Sequence, residues 1–221
     1  MNIKKCIYAF CAVFLLNGSV ALAANVGFTL SGVSYDASGT ETTKSSGQTN
    51  NKSDSGTAPI GSIFIETEAD NGAVIGIDII PYGQKIADGG MTSDDDAETS
   101  GTNTVDVKLD KAVTLYAEFP MPIGYLKVGA GLLTIETDET VNTGSKYGDE
   151  ETETFLIGLG KKGEMDNGMI WKAEALYQRI SGTTFNAATG GNAAGDSSVF
   201  NKITLDDVDT MQIRFSVAKS F

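Results

Sequence analysis

The stretch VDVKLDKAVTLYAEF, residues 105–119, decides the fold class. Its odd positions are Val105, Val107, Leu109, Lys111, Val113, Leu115, Ala117 and Phe119, and its even positions are Asp106, Lys108, Asp110, Ala112, Thr114, Tyr116 and Glu118. Successive side chains of a β-strand point to opposite faces, so this order makes one face apolar and the other polar. The same alternation returns in Val26 to Tyr35, Ile60 to Ala69, Ala73 to Tyr82, Tyr125 to Ile135, Thr152 to Lys161, Met169 to Ile180 and Val208 to Phe221, eight segments in all. Nothing from residue 24 onward reads as an amphipathic helix, and the chain is predicted to be all-β.

Connection lengths then order the strands. The first two are separated by 24 residues rich in Ser, Thr, Gly, Asn and Lys, the next two only by Asp70-Asn71-Gly72. Gly83 to Thr104 is long, Pro120 to Gly124 short, Glu136 to Glu151 long, Lys162 to Gly168 short and Ser181 to Asp207 long. Up-and-down antiparallel strands send alternate connections to opposite ends, so the long loops gather at one end and the short turns at the other. A three-residue Asp70-Asn71-Gly72 loop with a left-handed Gly72 pairs Ile65 with Ile77 and Ile63 with Ile79, whereas a two-residue turn would put Ile on both faces. Around Met121 to Gly124, Phe119 is expected opposite Leu126, Ala117 opposite Val128, Leu115 opposite Ala130, and Glu118 opposite Lys127, a cross-strand ion pair.

Composition removes whole classes of function. Sixteen Lys plus Arg against 29 Asp plus Glu give a formal charge of −13, which repels a phosphate backbone, so nucleic acid is not expected as a partner. The chain has no His, which excludes imidazole bases, Ser-His pairs and His metal ligands. Lys4 and Lys5, the 11-residue apolar run Cys6 to Leu16 and the closing Ala21-Leu22-Ala23 have the layout of a secretory signal peptide. That run is about half of the ~20 apolar residues a membrane helix needs. Both cysteines, Cys6 and Cys11, would leave with the signal, so neither a disulfide framework nor a thiolate metal site is expected.

The last strand ends at Phe221, with Lys219, Val217, Phe215, Ile213 and Met211 on its face and Ser220, Ala218, Ser216, Arg214 and Gln212 on the other. An alternating final strand closed by a terminal Phe resembles the assembly signal of bacterial outer-membrane proteins, although Lys219 stands where that family often has an aromatic. With the export signal and loop asymmetry, the sequence from residue 24 resembles the small eight-stranded outer-membrane β-barrels, similar to the transmembrane domain of outer-membrane protein A and to the porin family. The resemblance implies a signal peptide over 1–23 and, over 24–221, an eight-stranded antiparallel up-and-down transmembrane barrel of a Gram-negative cell envelope, with long extracellular loops and short periplasmic turns. It implies outer-membrane lipid and lipopolysaccharide as surroundings, the barrel assembly machinery as a partner in biogenesis through Phe221, a monomer, and no cofactor. Enzymes among such barrels rely on a His, so no catalytic residue and no metal site is assigned. A structural or surface-interaction role is expected, with a narrow channel for small solutes or hydrophobic molecules, and a secreted β-sandwich adhesin module, as the alternatives.

Eight strands enclose a space that side chains can fill. The inward phase carries Glu66, Asp78, Glu118, Lys127, Lys172, Glu174 and Arg214, which are expected to satisfy one another as an interior charge network. Phe28, Phe119, Phe155, Trp171, Tyr177 and Phe215 fall on the apolar phase. Acidic residues crowd the long connections, at Asp88, Asp94 to Asp96, Glu98, Glu136, Asp138, Glu139 and Asp149 to Glu151, without the spacing of a calcium loop. Ser38 to Thr57 and Thr183 to Ser198 are small-residue tracts expected to be mobile loops.

Overall fold

The computed structural model describes residues 24–42, 49–82, 84–87, 90–91, 103–140, 147–187 and 202–221. The predicted signal peptide over 1–23 lies outside the described residues, as do Asp88, Asp94 to Asp96, Glu98 and residues 188–201. The strands are β1 (Ala24–Thr42), β2 (Thr49–Glu68), β3 (Val74–Ile80), β4 (Gln84–Ala87), β5 (Gly90–Met91), β6 (Asn103–Met121), β7 (Gly124–Thr140), β8 (Glu150–Glu164), β9 (Met169–Ile180), β10 (Thr183–Asn186), β11 (Lys202–Leu205) and β12 (Val208–Ser220).

Eight of them, β1, β2, β3, β6, β7, β8, β9 and β12, form one antiparallel wall in chain order. β1 closes it by pairing with β2 on one side and with β12 on the other, from Asn25 opposite Ser220 to Asp36 opposite Asp209. Among the described residues this closed wall belongs to a single sheet, with no second sheet for it to pack against as a sandwich requires. β4 and β5 pair with β6 beyond the end of β3, and β11 pairs with both β10 and the far end of β1.

The expected hairpin registers are observed. Ile65 lies opposite Ile77 and Ile63 opposite Ile79, and Glu118 lies opposite Lys127, with Phe119 opposite Leu126. The first of these turns is built by Asp70-Asn71-Gly72: the Gly72 N–H donates to the Ala69 carbonyl at 2.8 Å, the Ala73 N–H donates to Asn71 Oδ1 at 3.0 Å, and Gly72 has φ of +80°. Asp166-Asn167-Gly168 repeats this construction, with the Gly168 N–H donating to the Met165 carbonyl at 2.9 Å and φ of +74°. β8 therefore runs on to Glu164, and the predicted turn over Lys162 to Gly168 contracts to its last residues.

Three other expectations are corrected. Alternation over 105–119 is not continuous, because the β6–β7 register shifts between Leu109 and Lys111. The extra residue reverses the phase, so Leu109 is buried inside with Ala112, and the apolar outward face begins at Val113. Lys111, the charged residue in the odd set, marks that break. The tract from Ser38 to Thr57 is largely strand rather than loop, with Asp36 to Thr42 paired to Thr49 to Ser55. Thr183 to Asn186 is strand β10. Backbone pairing satisfies N–H and C=O groups whatever the side chains are, so polar Ser/Thr strands carry no hydrophobic signal.

The outer surface is an apolar belt. Phe28 (63%), Leu30 (60%), Ile213 (56%) and Phe215 (64%) are exposed on adjoining strands, far beyond the scattered apolar residues of a soluble surface. Inside, the wall brings aromatic rings down onto glycines across the strand pair. A Cβ on Gly76 would lie 2.4 Å from the Tyr116 ring, and one on Gly160 would lie 2.3 Å from the Tyr125 ring. These close approaches lay the rings sideways across the interior.

Candidate functional site

Every inward charge singled out above is buried: Glu66 on β2, Asp78 on β3, Glu118 on β6, Lys127 on β7, Lys172 and Glu174 on β9, and Arg214 on β12. The structure brings all seven together as a chain of alternating sign. Glu66 Oε2 lies 2.7 Å from Lys172 Nζ, which lies 2.5 Å from Glu118 Oε1. Glu118 Oε1 is 3.3 Å from Lys127 Nζ, and Lys127 Nζ is 2.9 Å from Glu174 Oε1. Glu174 Oε2 is 3.5 Å from Arg214 Nε, and Arg214 Nη2 donates to Asp78 Oδ2. Register explains the geometry, because Glu118 pairs with Lys127 and Arg214 with Glu174 across neighbouring strands, leaving the other four links to cross the barrel interior.

Neutral residues complete the lattice. Tyr116 Oη donates to Glu66 Oε2 at 2.6 Å and Tyr125 Oη to Glu174 Oε1 at 2.8 Å. Lys127 Nζ sits 3.8 Å from the centre of the Tyr116 ring, and Lys172 Nζ lies 5.3 Å from that of Tyr125 and 5.5 Å from that of Phe64, within cation–π range. Sequence reasoning missed Tyr116, Tyr125 and Phe64. Their signal was position: each stands on the inward phase, where an aromatic ring has to fill space.

Above the lattice, toward the long-loop end, the interior changes character. A cavity of about 230 Å³ is walled by Val33, Ile60, Ile80, Leu109, Leu133 and Ile180. Ser62, Asp78, Thr114, Gln178, Gln212 and Arg214 belong to the polar part of the same lining. On the outer surface, Arg179 Nε contacts Asp209 Oδ1 at 3.0 Å and Tyr177 Oη donates to the same oxygen at 2.5 Å, just above the apolar belt. Asp138, in the acidic stretch of β7, pairs with Lys108 at 3.1 Å. Among the described residues no group of three or more Asp, Glu, Cys or His could hold a metal ion. Phe221 is exposed, and its N–H donates to the Ala24 carbonyl at 3.0 Å.

No protein-family profile and no curated protein matches the sequence. Solved structures do match along most of the chain. Outer membrane protein AlkL, solved in DMPC bilayers, is 14% identical over 90% of this chain and 90% of its own, with a TM-score of 0.49. OprG from Pseudomonas aeruginosa is 12% identical over 89% of this chain and 96% of its own, with a TM-score of 0.49. The outer membrane protease OmpT from Escherichia coli is 9% identical over 92% of this chain and 99% of its own, with a TM-score of 0.44. The described strands close into an eight-stranded antiparallel wall with an apolar outer belt, the architecture of a transmembrane β-barrel.

Proposed function

We propose that the chain is exported, loses residues 1–23, and folds as a monomer into the outer membrane of a Gram-negative bacterium, where it serves as a non-enzymatic barrel with a structural or surface-interaction role. On this reading its belt meets membrane lipid and lipopolysaccharide, Phe221 is read by the barrel assembly machinery, the short turns face the periplasm and the long-loop end faces outward. The observation that carries the non-conducting role is the filled short-turn half of the barrel. There Glu66, Glu118, Lys127, Lys172 and Glu174 are each no more than 4% exposed, and Phe64, Tyr116 and Tyr125 are packed among them. A hydrated ion entering this half would have to displace paired charges whose separation costs several kcal/mol.

Two measurements test the reading. The protein should be recovered from the outer-membrane fraction only with detergent; recovery as soluble periplasmic or secreted material would overturn the membrane assignment. Purified protein in planar bilayers should show no steady conductance. A reproducible single-channel current would instead make the narrow channel the better reading.

A further inference from the structure

The cavity above the lattice is a volume that a closed barrel does not require. It is larger than the engineered cavity of about 150 Å³, lined by Leu, Ile and Phe, that stays dry and takes benzene. Most of its wall is hydrocarbon, and it opens at the long-loop end beside Thr40, Lys52 and Asp54. Below, the lining is not hydrocarbon: Arg214, 6% exposed, and Asp78 form its floor, with Arg214 Nε turned to Glu174 Oε2 at 3.5 Å.

The charge around that guanidinium selects the ligand's polar end. Arg214 is already held between Asp78 and Glu174, two carboxylates against one guanidinium. A ligand carboxylate brought to the same place would face both. A hydroxyl or carbonyl oxygen would accept from the polar lining, where Ser62, Thr114 and Gln212 offer further partners, without adding charge. We propose that this cavity is a binding site for a small, uncharged, mainly hydrocarbon molecule carrying one hydroxyl or carbonyl end, with that end placed toward Arg214 and the hydrocarbon against the wall of Ile60, Ile80, Leu109 and Leu133. The site needs no passage through the lattice, so it stands or falls separately from the non-conducting reading.

The test uses the refolded barrel in detergent micelles with labelled Ile and Leu methyl groups. 2-Naphthol is titrated at pH 7, beside naphthalene, which lacks the polar end, and 2-naphthoate, which is ionised. Methyls of Ile60, Ile80 and Leu133 report the cavity, whereas those of Ile63 and Ile213 on the outer belt report partitioning into the micelle. The expected result is saturable shifts at the cavity methyls with 2-naphthol, at least tenfold weaker binding of 2-naphthoate and naphthalene, and loss of the shifts in Ala112→Phe, which fills the lining from β6. If Ala112→Phe does not fold, Val33→Phe supplies the same test from β1. Shifts confined to the belt methyls, or binding unchanged in the filled variant, would overturn the site. Equal binding of the three compounds would overturn the ligand class.

Discussion

Leu115 and Thr114 are neighbours on β6 that face opposite ways, and they give the sharpest test of which surface meets lipid. Leu115 pairs with Ile77 and Ala130 on the outward face, while Thr114 is buried beside the cavity and pairs with Asp78. An Arg on the lipid face near mid-bilayer costs about 2–4 kcal/mol. Leu115→Arg should therefore lower folding into bilayers much more than Thr114→Arg, whose guanidinium can turn into the cavity toward Asp78; equal losses would mean that the odd face does not meet lipid. A second residue-scale outcome concerns Lys127. Lys127→Met strips Glu118 and Glu174 of a shared cation in a buried setting, and removing one member of a buried pair costs about 3–5 kcal/mol. Denaturant unfolding should show that loss; a change below about 1 kcal/mol would mean that water reaches the lattice. The seven charges were legible in the sequence because a polar residue on the inward phase of a half-apolar strand has nowhere else to point. The order in which they join was not legible, since the Lys172–Glu118 and Lys172–Glu66 links cross the interior between strands that are not neighbours.

At the scale of the element, the repeated Asp-Asn-Gly turn shows what local sequence can settle and what it cannot. Asn supplies the side-chain acceptor and Gly the left-handed φ, so both turns and their registers follow from three residues. The β6 bulge was hidden because one inserted residue leaves period-two alternation intact on each side of it, and only Lys111 on the apolar phase betrays it. The length of the β1–β2 hairpin was hidden for another reason. Thr, Ser and Asn above Tyr35 pair through their backbones, which hydropathy does not register. This hairpin yields a topology test. Cys6 and Cys11 are the only cysteines in the sequence, so with both changed to Ser a single Cys placed after residue 23 is the only thiol. Asp54→Cys in intact cells should react with a membrane-impermeant maleimide, and Asn71→Cys only after lysis. The reverse pattern would invert the barrel.

For the whole molecule, the energetic centre lies inside rather than at the rim. The ion pairs at the rim, such as Lys108–Asp138 and Arg179–Asp209, are exposed and screened by salt, whereas those of the lattice are not. Raising NaCl from about 0.1 to 1 M, where the screening length falls from roughly 10 to 3 Å, should therefore move the unfolding midpoint far less than Lys127→Met does. A comparable shift would place the stabilising charges at the rim. The lattice also acts as a proofreader of assembly. A strand that joins its neighbour one residue out of step sends its inward set to the opposite face. For β7 that error carries Lys127 into hydrocarbon and takes one of their two cations from Glu118 and Glu174; for β12 it carries Arg214 outward and takes a cation from Asp78 and Glu174. Backbone pairing closes the wall but says little about which face each side chain takes, so the buried charges penalise a strand that joins out of step.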